Sequence, residues 1–168
     1  LFNSFDPSRS EGAIPLPSNS EYTFNDWSLT YQLNFASPIV FFASASYGGF
    51  FNGKKLSLTG TTGYRFQPNV IISLQWDYNH IELPKPYSSA DLILVRPKFD
   101  VTFNKKLFWS TLIQYSNQTN NLGINSRLQW RFAPLSDLYL VYNDNYYTQE
   151  FGPVFRSINL KLTYWLSL

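Results

Sequence analysis

The chain contains no cysteine, no methionine and a single histidine, His80. Without cysteine, neither a disulfide framework nor a thiolate metal site can form. Carboxylates are then the only other ligand type, and Asp6, Glu11, Glu21 and Asp26 are too scattered for a calcium site. No metal and no cofactor is therefore expected. Charge is also scarce: Asp, Glu, Lys and Arg make up 14% of the 168 residues, where about a quarter is usual. A net charge of +2 with no basic run offers nothing to nucleic acid. Long hydrophobic runs are missing too. The longest, Ile39 to Phe51, is broken by Ser44, Ser46, Gly48 and Gly49 and falls short of the roughly 20 residues of a membrane-spanning helix. Gly48-Gly49 and Gly60/Gly63 lie in no strand-to-helix context, which excludes a phosphate loop. The opening Leu1-Phe2-Asn3-Ser4-Phe5-Asp6 lacks the basic start and apolar core of a signal peptide. With no initiator methionine either, the chain is expected to be processed or to belong to a longer polypeptide.

Aromatic side chains are in excess, at 19% of the chain, and they are the types that line membrane interfaces. They occur within a period of two. In Leu56-Ser57-Leu58-Thr59-Gly60-Thr61-Thr62-Gly63-Tyr64-Arg65-Phe66, even positions are mostly apolar and odd positions are small, polar or cationic. Side chains two apart share one face of a strand. The pattern recurs to the C-terminus, and Arg65, Asp77, Arg96, Lys98, Asp100, Arg127, Arg131 and Lys161 all fall on the polar parity. Exclusion of charge from the other parity is expected where that face meets lipid, because Arg or Lys at mid-depth costs about 2–4 kcal/mol. The expected lipid face comprises Leu29, Leu33, Leu58, Leu74, Val95, Phe99, Ile113, Leu128, Leu160 and Leu162.

Residues 1–20, with Pro7, Pro15, Pro17 and Gly12, read as a loop or linker, and 21–168 as a transmembrane β-barrel segment. Nine strands are expected near 22–36, 39–51, 55–66, 70–80, 91–103, 107–117, 123–132, 137–146 and 156–168. Tight turns fall at Ser37-Pro38, Gln67-Pro68-Asn69, Asn104-Lys105-Lys106 and Ala133-Pro134-Leu135-Ser136. The intervening connections at 80–90, 117–122 and 145–155 are longer, with Asn52-Gly53 the short exception. Short turns on one side and long loops on the other characterise outer-membrane barrels. Aromatics gather towards strand ends: Phe35, Phe66, Phe103, Trp109, Trp130 and Phe132 near the short turns, and Trp27, Tyr47, Trp76, Tyr78 and Tyr115 near the long loops. A soluble sandwich or ligand-binding barrel also has one apolar face. Two aromatic bands and a polar face rich in Ser, Thr, Asn and Gln favour the membrane barrel. Single-chain bacterial barrels have even strand numbers. An antiparallel segment of nine is thus expected to be the C-terminal portion of a larger barrel, completed by the rest of the polypeptide or a partner chain. The strand near 22–36 should not pair with that near 156–168.

Three segments also carry a family resemblance: Gln114-Tyr115-Ser116-Asn117, Asn125-Ser126-Arg127-Leu128-Gln129-Trp130-Arg131-Phe132, and Pro134-Leu135-Ser136-Asp137-Leu138-Tyr139-Leu140-Val141-Tyr142-Asn143. In the order Gln-Tyr, Asn-x-Arg-x-x-Trp, Pro-x-Ser-Asp, the chain resembles an uncharacterised C-terminal barrel domain of Gram-negative proteins. In those proteins the domain lies behind a carbohydrate-binding-family-nine-like domain. Ile81-Glu82-Leu83-Pro84 and Phe103 to Phe108 also resemble it, so the likeness covers most of residues 20–168. It implies an outer-membrane location in a Gram-negative bacterium and an upstream binding domain. The chain end resembles the assembly signal of such barrels but closes on Leu168 where an aromatic is usual. The family has no established reaction, and no catalytic role carries over.

Two constellations bear on function. His80, with Asp77 and Asp91, is similar to the His and carboxylate pairs of outer-membrane proteases, and with Ser73 it would imitate a membrane phospholipase. A lone histidine at a strand end is more often a satisfied rim residue. The cations Arg65, Arg96, Lys98, Arg127, Arg131 and Lys161, set against Asp77 and Asp100, would line a pore favouring anionic or polyhydroxyl solutes. The bland alternative is that they pair with Asp and knit the barrel together, Asp77 with Arg96 for instance. The expectation is an outer-membrane pore or anchor for an upstream binding domain, with membrane lipid and carbohydrate as partners. A scaffold subunit of a larger envelope complex and an outer-rim barrel hydrolase are the alternatives.

Overall fold

The computed structural model describes residues 4, 6–7, 12–33, 36–149 and 152–166. Glu11, Phe35 and Leu168, which entered the sequence reading, lie outside the described residues. Nine strands form one antiparallel sheet in chain order: β1 (Asp26–Gln32), β2 (Ile39–Phe50), β3 (Gly53–Phe66), β4 (Val70–Glu82), β5 (Ala90–Asn104), β6 (Leu107–Ser116), β7 (Asn121–Ala133), β8 (Ser136–Tyr147) and β9 (Gly152–Thr163). Every neighbouring pair is joined by a local turn, so each ladder closes without a crossover. No helix occurs among the described residues.

Register converts the alternation into two faces. Leu29, Ala45, Leu58, Tyr78 and Ile93 are successive cross-strand partners, as are Trp109, Leu128, Leu140 and Leu160. On the other face, Arg65, Ile71, Asp100, Ser110, Arg127 and Val141 follow one another across β3 to β8. A single offset by one residue would have moved a whole strand to the wrong side. Register shifts do occur, between Thr102 and Asn104, Arg131 and Ala133, and Asn145 and Tyr146, all close to turns. The mid-strand pattern is thereby left intact.

There is almost no conventional core. The buried apolar side chains among the described residues are Leu16, Ile81 and Leu83. A two-layer fold would bury one entire face; here no second layer covers the apolar one. Cohesion comes from the ladders and from cross-strand packing within each face. Glycines serve that packing. Gly60 lies opposite Trp76, and a Cβ there would run into the indole ring and sit 2.6 Å from the Phe42 carbonyl oxygen. Trp76 is accordingly a mid-strand residue laid over Gly60, not part of the outer aromatic band assigned to it from sequence.

Several boundaries differ from the sequence reading. β1 is shorter than 22–36, although Leu33 still donates its N–H to the Phe41 carbonyl at 3.0 Å. The connections expected to be long, at 83–89, 117–120 and between Tyr147 and Gly152, are shorter than read but still longer than those at 67–69, 105–106 and 134–135. Polar and aromatic residues there continue the ladders, as with Lys54 opposite Glu82 and Ile81 opposite Ala90. Asn117 extends β5 beyond its own strand: its Oδ1 accepts from the Ile93 N–H and its Nδ2 donates to the Asp91 carbonyl, both at 2.7 Å. Within the stretch read as linker, Leu16 is fully buried and forms an isolated bridge.

No ladder joins β1 to β9. β1 starts at the end of the sheet shared with the β2–β3 turn, and β9 finishes beside Asp137, at the end shared with the β7–β8 turn.

Candidate functional site on the polar face

All eight charged residues singled out in the sequence share the polar face by register. Alternation puts them there, and pairing decides their neighbours. Arg96 Nη2 meets Asp77 Oδ2 at 2.9 Å, the pair expected from sequence, and Thr59 Oγ1 donates to the other carboxylate oxygen at 2.5 Å. Lys98 Nζ lies 2.8 Å from Asp100, which also accepts from Ser110 at 2.6 Å. Arg131 Nε approaches Asp137 at 3.2 Å, and Gln129 donates to the same oxygen at 3.0 Å. The Asp137 carboxylate was missed from sequence because both parities of β8 are apolar near it, which hid its face.

The Asp77–Arg96 and Arg131–Asp137 pairs link neighbouring strands while Lys98–Asp100 lies within β5, and all three are only partly shielded from solvent, where an ion pair contributes little. Arg127 sits opposite Ser110 in the row that contains Asp100, and Lys161 forms no ion pair among the described residues. A recess of about 390 Å³ opens beside Asp77 and Arg96, bordered by Asn79, Ser116 and Gln118. The Arg96 Nε is buried there without a hydrogen-bond partner among the described residues. A smaller recess of about 200 Å³ adjoins Asp100, Ser110 and Arg127. The face thus offers cationic donors beside shallow, polar hollows.

The second constellation comes apart. His80 belongs to the apolar face, whereas Asp77 and Ser73 belong to the polar one, so of the three expected partners only Asp91 meets it. Asp91 is directly opposite His80 and accepts from or is bonded to its Nδ1 at 2.8 Å, and the Tyr78 hydroxyl donates to the same oxygen at 2.6 Å. The histidine is satisfied at the rim, and no serine or threonine joins the group in these contacts.

A further polar cluster on the apolar face corrects the strict parity read from sequence. Asp144, almost fully buried, accepts from Tyr142, from Tyr146 at 2.6 Å and from Arg156 Nε at 2.9 Å, while Arg156 Nη2 donates to the Tyr146 hydroxyl at 2.8 Å. Asp144 and Arg156 are opposed in the ladder, alongside Ile124 and Ile113. The Asp144 and Arg156 charges neutralise each other and, like the His80–Asp91 contact, lie towards the end bearing the β8–β9 turn. In both of these pairs a tyrosine hydroxyl also donates to the carboxylate, whereas Lys54 and Glu82, opposed on the same face at the strand ends, form no ion pair among the described residues.

The motif segments also have structural work. Ser136, fully buried, accepts from the Trp165 N–H at 3.1 Å and donates to the Pro134 carbonyl at 3.3 Å, tying the β7–β8 turn to the chain after β9. Ser126 accepts from Trp109 Nε1 at 2.8 Å. The Ser136 contacts give the Pro-x-Ser-Asp segment a structural role at the β7–β8 turn. No protein-family model, no curated protein and no solved structure matches this chain.

Proposed function

We propose that this chain is a segment of a transmembrane β-barrel of a Gram-negative outer membrane. In that barrel the polar face lines a water-filled vestibule or pore and the apolar face meets lipid. The observation that carries the reading is the uncovered apolar face. Trp27 and Leu29 of β1 and Ile158 and Leu160 of β9 share it at 85%, 76%, 70% and 69% exposure, Leu74 and Leu140 of the inner strands at 37% and 42%, and the described residues supply nothing to cover it. A contiguous apolar surface of this extent is an interaction surface, and a closed barrel is the one strand architecture that tolerates lipid around it. Strands of 12 to 15 residues, as in β2, β3 and β5, exceed the roughly 9–11 needed to cross a bilayer.

The free outer edges of β1 and β9 support completion by further strands from the same polypeptide or a partner chain, since unpaired backbone groups in lipid cost several kcal/mol each. The family resemblance favours an upstream carbohydrate-binding domain for which this barrel is anchor or port. Nothing in the His80 geometry favours a hydrolase.

The test is depth-resolved quenching of tryptophan fluorescence after folding into vesicles. Trp76, at the middle of β4, should be quenched most by lipids brominated near the bilayer centre, and Trp109 and Trp130 most by shallow bromines. A protein that stays in solution, or one whose tryptophans ignore the bromines, would refute the membrane reading.

A further inference from the structure

Between β6 and β9 the polar face changes character. Gln114 of β6, Asn121 and Asn125 of β7, and Asn143 and Asn145 of β8 line a cavity of about 390 Å³ that Phe155 of β9 walls on one side. Asp144 also borders the cavity, but its carboxylate is bound to Arg156 and two tyrosines on the opposite face. The lining thus combines uncharged carboxamides with the apolar Leu112, Ile124 and Phe155, unlike the charged recesses beside Arg96 and Arg127.

Each carboxamide has two donor hydrogens and two acceptor lone pairs. Asn121 donates to Asn145 Oδ1, Asn125 donates to Asn143 Oδ1, and Asn143 Nδ2 reaches Ser157 Oγ at 3.3 Å. These bonds orient the amides while leaving N–H and C=O groups of both senses open to the cavity. The Gln114 amide and the Asn145 Nδ2 make no hydrogen bond among the described residues.

Gly123 lies among these amides. A Cβ at this position would meet a single neighbour within 4 Å, Asn121 Oδ1 at 3.9 Å. At Gly48, Gly53, Gly60 and Gly63 a Cβ would instead collide with backbone or ring atoms. Those four glycines are required by close approach; Gly123 is not, and neither is Gly49, where a Cβ would make only ordinary contacts from 3.7 Å outward. A glycine in a strand interior weakens the strand, so one without a packing reason points to space kept open for something else. Phe155 adds a ring that is 58% exposed at the edge of that space.

Neutral groups that both donate and accept, converging beside an exposed aromatic ring, suit a polyhydroxylated ring. Its hydroxyls match the amides in both senses, and its C–H face meets the electron-rich face of the phenyl group. The volume lies at the small end of ligand sites, the size of one or two sugar rings. We propose that this cleft is a binding subsite for a neutral mono- or disaccharide. The proposal rests on the polar face being open to water, as the barrel reading has it.

The folded protein in detergent micelles is titrated with glucose, galactose, maltose and lactose, and with glucuronate as a charged counterpart, using saturation-transfer NMR and calorimetry. Saturable binding of at least one neutral sugar is expected, weakened tenfold or more by Gly123→Val and by Phe155→Ala and unchanged by Thr61→Ala elsewhere on the face. Valine favours strands and meets open space here, so Gly123→Val should keep the native circular dichroism and gel mobility. If it does not, Phe155→Ala decides, because it removes an exposed ring. No saturable neutral sugar, full affinity in the decisive variant, or tighter binding of glucuronate would each overturn the subsite. Bromolipid quenching of the same preparations separates the two readings: quenching without sugar binding removes the subsite and leaves the barrel, and sugar binding without quenching does the reverse.

Discussion

Leu74→Arg and Gln75→Arg place the same side chain at adjacent positions of β4, on opposite faces. Leu74 lies between Thr62 of β3 and Pro97 of β5, near mid-strand on the apolar face. No carboxylate is opposed to it there, so the guanidinium must be held in lipid or snorkel past Ile72 or Trp76. That costs about 2–4 kcal/mol at the midplane of a barrel, roughly a 30- to 700-fold loss in the folding equilibrium. Gln75 lies between Thr61 and Arg96 on the polar face. A second arginine opposite Arg96 adds like-charge repulsion of about 0.2–1 kcal/mol, no more than about fivefold. Folding into lipid vesicles is followed by denaturant titration, with tryptophan emission and electrophoretic mobility as readouts. The midpoint should fall far for Leu74→Arg and barely move for Gln75→Arg. Equal shifts, or a larger one for Gln75→Arg, would refute the assignment of faces to lipid and water.

Four other outcomes follow from the same geometry. Asp77→Ala, Arg96→Ala and the double variant should give a coupling energy of about 1 kcal/mol in a double-mutant cycle, and a coupling of zero would show the pair to be incidental. Asp77→Ala alone should cost about 1–3 kcal/mol, because Thr59 and Arg96 both lose their acceptor. Gly60→Val should destabilise by about 1–3 kcal/mol and alter the emission of Trp76, since the indole must lift off β3; an unchanged spectrum and midpoint would contradict the close packing. His80→Ala should leave hydrolysis of lipid and peptide substrates at the wild-type background, and a specific activity lost in the variant would restore the enzyme alternative.

Much of this architecture was legible locally. A strand's side chains alternate with a period of two whatever its partners are, so Leu29, Leu58, Leu74, Val95, Phe99, Ile113, Leu128, Leu160 and Leu162 sort onto one side by sequence alone. The register sets the same nine on one face. The sequence also determined the number of strands and the tight turns at Gln67-Pro68-Asn69 and Pro134-Leu135, where proline interrupts the alternation. What it left undecided is whatever depends on the neighbouring strand. Asp137 becomes the partner of Arg131 only once β7 and β8 lie in their observed register, and Asn143 meets Asn125 for the same reason. The exclusion of charge from the apolar parity took no account of Asp144 and Arg156; the β8–β9 ladder makes them tolerable by opposing them. His80 was grouped with Asp77 by nearness in sequence, yet an odd separation along a strand puts two residues on opposite faces. Alternation is a property of one strand and can be read from one strand. Ion pairs, amide clefts and the ends of ladders are properties of two or more, and the tertiary structure alone supplies the offset between them.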